Sequence, residues 1–329
     1  MEYVEENARR TPVVRGVDVL VAGGGIAGVA AAVRAAEQGA EVLLVERYSY
    51  LGGITVGWPV KAVWQYGREE PYVQGFATEL IERLSELGGW KPYDHPDSLE
   101  KDCDGIMDTD LLRLVLAEFC EKAGVEVLLH SWGVDAVTED SRVRGVIVEN
   151  KSGRQALLAD LVVDATGDAD VAALAGAAMK EEGGDAFDPE SGATVGSCSF
   201  GAKLADVDEE RVQEFKEQNP DRFEELMHRV VEAGGVKKIS CASLTMRGDA
   251  VDAWDLTRME IEGSMKALKT LEFLRENVPG HENARLTTLS DQFGTRLGRR
   301  IEGVTTLTGE DVRQTRRHDD DICLFWAHE

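Results

Sequence analysis

The sequence lacks the residue patterns that mark several common enzyme classes. It has five cysteines but no CxxC pair, and an odd number of widely spaced thiols argues against a disulfide framework or a cysteine-rich zinc site. Its six histidines show no HExxH spacing, and no GxSxG segment is present. These absences remove the usual signatures of zinc peptidases and serine hydrolases. We therefore expect no metal site.

Basic residues and long apolar runs are also scarce. There are 36 Lys and Arg residues against 61 Asp and Glu, for a formal net charge of −25, which opposes contact with phosphate backbones or anionic lipid. No uninterrupted apolar run reaches the roughly 18 residues of a membrane span, and the first residues do not follow the signal-peptide pattern. We expect a cytoplasmic protein that binds neither nucleic acid nor membrane.

A glycine-rich turn near the N-terminus is the strongest positive feature. The apolar run from Val17 to Ala22 is typical of a buried parallel strand, and the segment GGGIAG follows it with GxGxxG spacing. In such a turn Gly23 permits the tight bend, Gly25 lets the backbone approach a pyrophosphate, and Gly28 allows the helix to pack closely on the strand. The spacing predicts a dinucleotide-binding turn.

The segments after this turn complete the pattern. A helix is predicted from about Ile26 to Gln38. Its N-terminus favours a bound anion, so Ile26 and Ala27 are candidate cofactor contacts. A second strand then ends in Glu46, 23 residues after Gly23, close to the spacing at which an acid accepts hydrogen bonds from a ribose hydroxyl. Strand, helix, second strand and acid together indicate a dinucleotide site rather than an isolated glycine turn.

The choice of dinucleotide comes from a resemblance. The stretch GGGIAGVAAAVRAAEQGAEVLLVER, followed by Leu51-Gly52-Gly53, resembles the flavin-binding segment of flavoproteins with two dinucleotide-binding domains. The resemblance implies FAD as the cofactor, with Arg47, Gly52 and Gly53 among its contacts and the glycine pair along the pyrophosphate and ribityl region. An NAD-dependent dehydrogenase, which usually lacks that pair, remains the alternative.

Later segments are similar to one family within this group. Leu161 to Asp170, Asn277 to Ala284 and Gly294 to Val312 resemble the FAD-dependent oxidoreductase family of the glutathione-reductase-like superfamily. The resemblance implies an α/β fold: a Rossmann-like FAD-binding domain with a parallel sheet and a β-hairpin, interrupted by a second α+β substrate or cap domain. It also implies transfer of a hydride or an electron pair between a small organic substrate and FAD.

The same resemblance suggests domain boundaries. We expect residues 1–60 and 103–180 to form the FAD-binding domain, residues 61–102 an excursion from its sheet, and residues 181–300 the cap. Residues 301–329 would return toward the FAD-binding domain. Family members continue well beyond the equivalent of Glu329, so we expect a truncated chain. A flavin-binding protein without full catalytic competence is therefore a further alternative.

Three more cofactor contacts are expected outside the glycine turn. In the family, the segment equivalent to Ser131 to Val134 passes under the adenine, which makes Val134 a candidate. Gly167 follows a buried strand whose end faces the ligand crevice of a parallel sheet. Asp168 is a candidate beside it, with the alternative interpretation that it caps a helix from Ala169 to Ala175.

Few sequence patterns point to residues that bind the substrate. Arg296 and Arg300 are candidates for holding a substrate carboxylate, because arginine binds carboxylates through two parallel hydrogen bonds. Clustered arginines also form structural salt bridges, and that alternative stays open. The family usually has an acid and a serine where this chain has Leu297 and Gly298. No residue pattern identifies a catalytic acid or base, a substrate, or an electron donor or acceptor.

Overall fold

A computed structural model describes residues 2–4, 7–57, 62–63, 74–93, 104–179, 197–232, 241–295, 298–314 and 316. Its strands are β1 (Val13–Ala22), β2 (Val42–Val45), β3 (Ala62–Val63), β4 (Trp90–Tyr93), β5 (Asp104–Met107), β6 (Glu126–Leu128), β7 (Trp132–Glu139), β8 (Arg142–Asn150), β9 (Gly153–Asp164), β10 (Ser197–Ala205), β11 (Cys241–Arg247), β12 (Arg285–Leu289) and β13 (Gly294–Thr295). Its helices are α1 (Ile26–Glu37), α2 (Gly53–Gly57), α3 (Phe76–Glu86), α4 (Thr109–Ala123), α5 (Asp170–Leu174), α6 (Glu209–Gln218), α7 (Pro220–Glu232), α8 (Ala253–Asn277) and α9 (Gly309–Arg313).

The main sheet has six strands in the order β6-β2-β1-β9-β8-β7. Strand β1 pairs in parallel with β2 and β9, and β6 lies parallel to β2, whereas β8 and β7 add antiparallel strands at one edge. The sequence explains why β2 is an internal strand that is buried on both faces. Val42 and Leu44 enter one hydrophobic cluster and Leu43 and Val45 another, because side chains alternate between the faces of a strand. The predicted α/β class is confirmed.

Strand β9 is longer than the sequence pattern indicated. The sequence pattern favours separate strands at Gln155 to Ala159 and Leu161 to Ala165, but one strand runs through both and ends at Asp164. The pattern around Trp132 favours a strand that passes into a loop, but this segment forms β7. Both differences have one cause: β8 pairs with the first half of β9 and with β7, and these ladders satisfy backbone groups that a loop would leave to solvent.

The described part of the 61–102 excursion packs onto the main sheet. Helix α3 buries Phe76, Leu80 and Leu84 in the cluster that also contains residues of α1 and α4. Arg83 on α3 forms an ion pair with Glu118 on α4, with Nε and Oε2 2.9 Å apart. The excursion therefore shares a core with the strands on either side of it, while the exact domain boundaries stay predictions.

Two further sheets contain the other strands: β3, β5 and β4 form a small antiparallel sheet in that order, and the second large sheet has four strands. Its order is β11-β10-β12, with β13 also paired to β10. Helix α8 packs against it through Met259 and Ala267, and α7 packs on the far end of α8. The backbone N–H of Asp291 donates to the carbonyl of Gly57 at 2.7 Å, which joins this sheet to the segment after β2. None of the helices described is long and apolar enough to cross a bilayer.

Candidate nucleotide-binding site

The three glycines of the GxGxxG turn, Gly23, Gly25 and Gly28, have different surroundings. A Cβ on Gly23 would lie 2.2 Å from the carbonyl oxygen of Ala165, and one on Gly28 would lie 1.8 Å from the carbonyl oxygen of Gly23. A Cβ on Gly25 would meet no atom within 4 Å. Gly23 and Gly28 are thus required by the protein's own packing, whereas Gly25 faces open space that a ligand can approach.

Helix α1 begins directly at this open space. Gly25 is its N-cap, no side chain caps it, and no acidic residue lies in its first turn. The first amides of a helix have no intrahelical partner, so the start of α1 offers N–H donors to an anion. A helix N-terminus of this kind favours a phosphate group, and the contact of this turn with a pyrophosphate stays a prediction.

The second glycine pair lies against the first turn. The N–H of Gly52 donates to the carbonyl of Gly24 at 2.8 Å, and Gly25 and Gly52 form an isolated parallel bridge. A Cβ on Gly53 would come within 3.0 Å of the Gly25 Cα. The two glycine segments are therefore in direct backbone contact, with the partly exposed Gly25 and Gly53 next to each other.

Glu46 is buried at the end of β2, with 6% of its surface exposed. Its Oε2 accepts a hydrogen bond from the N–H of Gly24 at 2.7 Å, and its Oε1 accepts one from the N–H of Tyr48 at 2.8 Å. The predicted role was as an acceptor for a ribose hydroxyl. Because a carboxylate has about four lone-pair sites, these two amide bonds leave capacity for that contact.

A groove opens beside Glu46 at the carboxyl ends of β1 and β2. Its volume is about 470 Å³, including space open to solvent. Parallel sheets bind nucleotides at this edge. The lining residues are Ala22, Gly23, Val45, Glu46, Arg47, Ser131, Trp132, Gly133, Val146, Thr166, Asp170 and Val171. Sequence reasoning did not select Trp132, Thr166 or Asp170 as individual contacts, although all three lie inside segments on which the family resemblance rests.

Val134 lies at an irregularity of β7, next to the groove residue Gly133. Gly133 is paired with Val148 and Asp135 with Ile147, so the register skips Val134. This is a β-bulge, which re-aims backbone and side chain locally. Gly167 is exposed, with a φ of 91°. Both positions are compatible with backbone contacts to a ligand, and both assignments stay predictions.

The interpretation of Asp168 as a helix cap is wrong. Helix α5 begins at Asp170, its N-cap is Ala169 with a φ of 54°, and no side chain makes the cap hydrogen bond. The amides near its start are satisfied from the preceding strand instead. Asp164 Oδ2 accepts from the N–H of Ala172 at 2.9 Å, and Thr166 Oγ1 accepts from the N–H of Asp170 at 2.9 Å.

Asp168 is thereby left as a partly buried acid beside the groove. Burial raises the pKa of its carboxyl, the negative charge of Asp170 raises it further, and Arg47 and Arg299 oppose the shift. A Cβ on Gly298 would lie 2.0 Å from Asp168 Oδ1. The glycine at the position where the family usually has a serine is therefore explained by the space that this carboxylate occupies.

Three arginines follow β13, and the structure describes two of them, Arg299 and Arg300. Arg299 Nη1 pairs with Asp170 Oδ1 at 2.6 Å and reaches the carbonyl of Asp168 at 3.4 Å. This arginine makes the structural salt bridge that the sequence had left as an alternative. Arg300 is exposed, and Arg296 lies outside the described residues, so their contact with a substrate carboxylate stays a prediction.

Other candidate chemistry is limited. Within the described ranges, no group of three or more His, Cys, Asp and Glu side chains is arranged to hold a metal ion. Cys120 is buried and unpaired, and burial raises the pKa of its thiol to about 11. At neutral pH this thiol is protonated and unreactive.

A parallel sheet whose first turn brings two glycine segments and a buried acid together defines a dinucleotide-binding protein of the Rossmann-like class. Residues 18–327 match the sequence profile described as FAD dependent oxidoreductase. The chain belongs to the FAD dependent oxidoreductase family. Both the family and the cofactor predicted from the sequence, FAD, are confirmed.

Individual relatives are more distant. The chain is 36% identical over 166 residues to the thiamine thiazole synthase of Aeropyrum pernix, which covers 46% of this chain and 54% of that protein. It is 30% identical over 155 residues to digeranylgeranylglycerophospholipid reductase 2 of Methanopyrus kandleri, covering 46% and 37%. The chain thus spans about half or less of the length of these curated relatives.

Among solved structures, the chain is similar to the L-amino acid deaminase of Proteus myxofaciens, with a TM-score of 0.48, 12% identity, and coverage of 89% of this chain and 83% of that one. It is also similar to a geranylgeranyl bacteriochlorophyll reductase-like protein of Thermoplasma acidophilum, with a TM-score of 0.45, 17% identity, and coverage of 85% and 66%.

Proposed function

We propose that this chain binds FAD across the two glycine segments and transfers a hydride or an electron pair between a small organic substrate and the flavin. The observation that carries the proposal is the bridge between Gly25 and Gly52. It brings together two segments that are separated in the sequence by a helix and a strand. A ligand bound at the first turn can therefore contact both segments at once.

This arrangement supports FAD over NAD. The first turn, with Gly25 and the start of α1, serves either dinucleotide. The second segment lies against the first through Gly52 and Gly53, and the family resemblance implies that such a glycine pair lies along the pyrophosphate and ribityl region of FAD. Family membership favours FAD independently of this geometry.

The residues have separable roles in this proposal. Backbone amides at Gly25, Ile26 and Ala27 hold the pyrophosphate, and Glu46 accepts from the ribose of the adenosine. Gly167, Asp168 and the backbone of Val134 are further cofactor contacts. When bound, FAD supplies the two-electron chemistry, while the protein positions the substrate and excludes water.

The substrate is proposed only by class. Arg296 and Arg300 are the candidates for a substrate carboxylate, and no described residue is assigned as acid or base. The names of the relatives concern two different reactions, so neither substrate is carried over. A flavin-binding protein without full catalytic competence remains the second candidate, because no described residue is assigned a catalytic role.

Ligand titrations of the purified protein test the proposal. We expect FAD to bind with a defined stoichiometry and more tightly than NAD, and the bound flavin to be reduced by dithionite. Tighter binding of NAD than of FAD would overturn the assignment. Comparing this chain with a version extended through any downstream reading frame separates the two candidates, because a reduction of substrate confined to the extended form identifies the incomplete one.

The cytoplasmic location and the absence of a nucleic-acid partner are also proposals. The net charge of −25, which repels phosphate backbones, supports the second of these proposals. Cell fractionation with an antibody to the chain, and a nucleic-acid retention assay at low salt, test them separately.

A further inference from the structure

An unbroken stack of charged and aromatic side chains leads into the groove. The Tyr48 and Tyr50 rings are stacked, with centroids 5.5 Å apart and planes 6° from parallel. The Arg47 guanidinium carbon lies 4.8 Å from the Tyr48 ring centroid and 5.2 Å from that of Trp132. At the other end, the guanidinium carbon of Arg113 lies 4.2 Å from the Tyr50 ring centroid.

Both ends of this stack are anchored. Arg113 forms an ion pair with Asp291 of the second sheet. Next to Trp132, the N–H of Ser131 donates to the carbonyl of Glu46 at 3.0 Å, and Trp132 itself begins β7 opposite Glu149. The Trp132 indole is thus held by the Arg47 guanidinium, and its backbone is held by the pairing of β7 with β8.

Trp132 nevertheless remains 54% exposed, and it lines the groove beside Glu46. A large aromatic side chain that is held in place but not covered has apolar surface available to a ligand. Trp254 on α8 is more exposed, at 85%, but it lines none of the groove. The two exposed indoles therefore differ in that Trp132 lines the groove next to Arg47.

We propose that Trp132 is the side chain that binds the adenine base, by packing its indole against the base in the groove beside Glu46. The inference rests on the proposed function, because it assumes that the adenosine end of the cofactor enters this groove. Flat purine and indole rings attract each other when they stack. The stack through Arg47 fixes the indole before the ligand arrives, which lowers the entropic cost of the contact.

This assignment separates ligands by their adenine. FAD and ADP carry the base, whereas FMN does not. Loss of the Trp132 ring therefore weakens FAD and ADP binding by the same factor and leaves any binding of FMN unchanged. A contact with the flavin end would instead affect FAD and FMN and spare ADP.

The experiment is calorimetric titration of the full chain with FAD, ADP and FMN. The variants are Trp132→Ala, Trp132→Leu and Trp132→Phe, with Trp254→Ala as the matched control that removes an exposed indole away from the groove. We expect the Kd of both FAD and ADP to rise about tenfold in Trp132→Ala and Trp132→Leu, as for the loss of one base–aromatic contact. Trp132→Phe and Trp254→Ala should remain within about threefold of the parent.

Trp132→Leu keeps an apolar side chain on β7, so it provides the measurement if Trp132→Ala is poorly folded by circular dichroism. Unchanged ADP binding in Trp132→Leu overturns the proposal, as does equal weakening by Trp254→Ala. If the parent binds ADP but not FAD, the proposed function fails and the ADP series still decides the role of Trp132. A parent that binds neither ligand overturns both.

Discussion

The N–H of Gly24 donates to Oε2 of the buried Glu46 across 2.7 Å. This hydrogen bond joins the first glycine turn to the end of β2, and the second oxygen of the same carboxylate accepts from Tyr48. Glu46 therefore organises the protein around the site before it meets any ligand. Its replacement should affect the stability of the fold as well as nucleotide affinity.

Glu46→Gln should lower the free energy of unfolding by about 1–3 kcal/mol, measured by urea denaturation. Glutamine offers one acceptor oxygen, so one of the two amides would face an NH₂ group and lose its partner. The control is Glu139→Gln, whose side chain is 68% exposed, and its effect should stay within about 0.5 kcal/mol. Equal stability of Glu46→Gln and the parent would show that these amides do not depend on the carboxylate.

Two alanine substitutions in the first turn should have opposite effects. Gly25 has a φ of −65° and open space where a Cβ would lie, so Gly25→Ala should retain parent stability but lose at least about tenfold in FAD affinity. A Cβ on Gly28 would collide with the Gly23 carbonyl. Gly28→Ala should therefore cost about 1–3 kcal/mol of stability. Thermal unfolding and FAD titration measure both, and full FAD affinity in Gly25→Ala would contradict the placement of the pyrophosphate.

His281 should make the fold sensitive to mild acid. It is fully buried, its ring nitrogens have no hydrogen-bond partner in the described part of the chain, and burial lowers its pKa from the usual value near 6.5, although nearby carbonyls and carboxylates partly offset the shift. As the pH falls, the His281 imidazole is therefore protonated at a higher pH in the unfolded chain than in the folded protein. Stability is unaffected well above pH 6.5 and declines below it, by at most about 1.4 kcal/mol per pH unit.

His281→Leu isolates this contribution. The difference in unfolding free energy between parent and variant should change between about pH 7 and pH 5.5 in favour of the variant, as measured by urea denaturation at each pH. His228→Gln replaces a histidine whose side chain is 57% exposed and should leave the pH profile of the parent intact. Parallel profiles for the parent and His281→Leu would mean that His281 titrates normally in the folded state.

Asp170 and Arg299 should be energetically coupled. Their ion pair, at 2.6 Å and with both side chains less than a third exposed, connects the groove to the segment after β13. A double-mutant cycle with Asp170→Ala and Arg299→Ala should give a coupling energy of about 1 kcal/mol, reduced by added salt. Additive effects of the two substitutions would show that the pair contributes nothing to stability.

The sequence predicted two of the long helices well, one beside each large sheet, because helix signals are local. The expected helix from Asp110 to Ala123 is α4, which begins one residue earlier and is capped by Asp108, and the long helix expected from Asp255 to Glu276 is α8. Strand β7 was not expected, because its formation depends on pairing with β8 rather than on its own residues. The helix-cap role considered for Asp168 failed for a similar reason, since Asp164 on the preceding strand already satisfies an amide of α5.

The sequence alone determined the dinucleotide turn and the family. The residues from Val17 to Glu46 are consecutive, and each acts through its backbone, its size or its charge at a fixed spacing. Only the tertiary structure decided that Gly52 lies on Gly24, that Glu46 holds two amides, and that Trp132 is held against Arg47 in the groove. These relations join segments that are distant in the chain, and their geometry depends on how the strands pair and the helices pack, which no local spacing specifies.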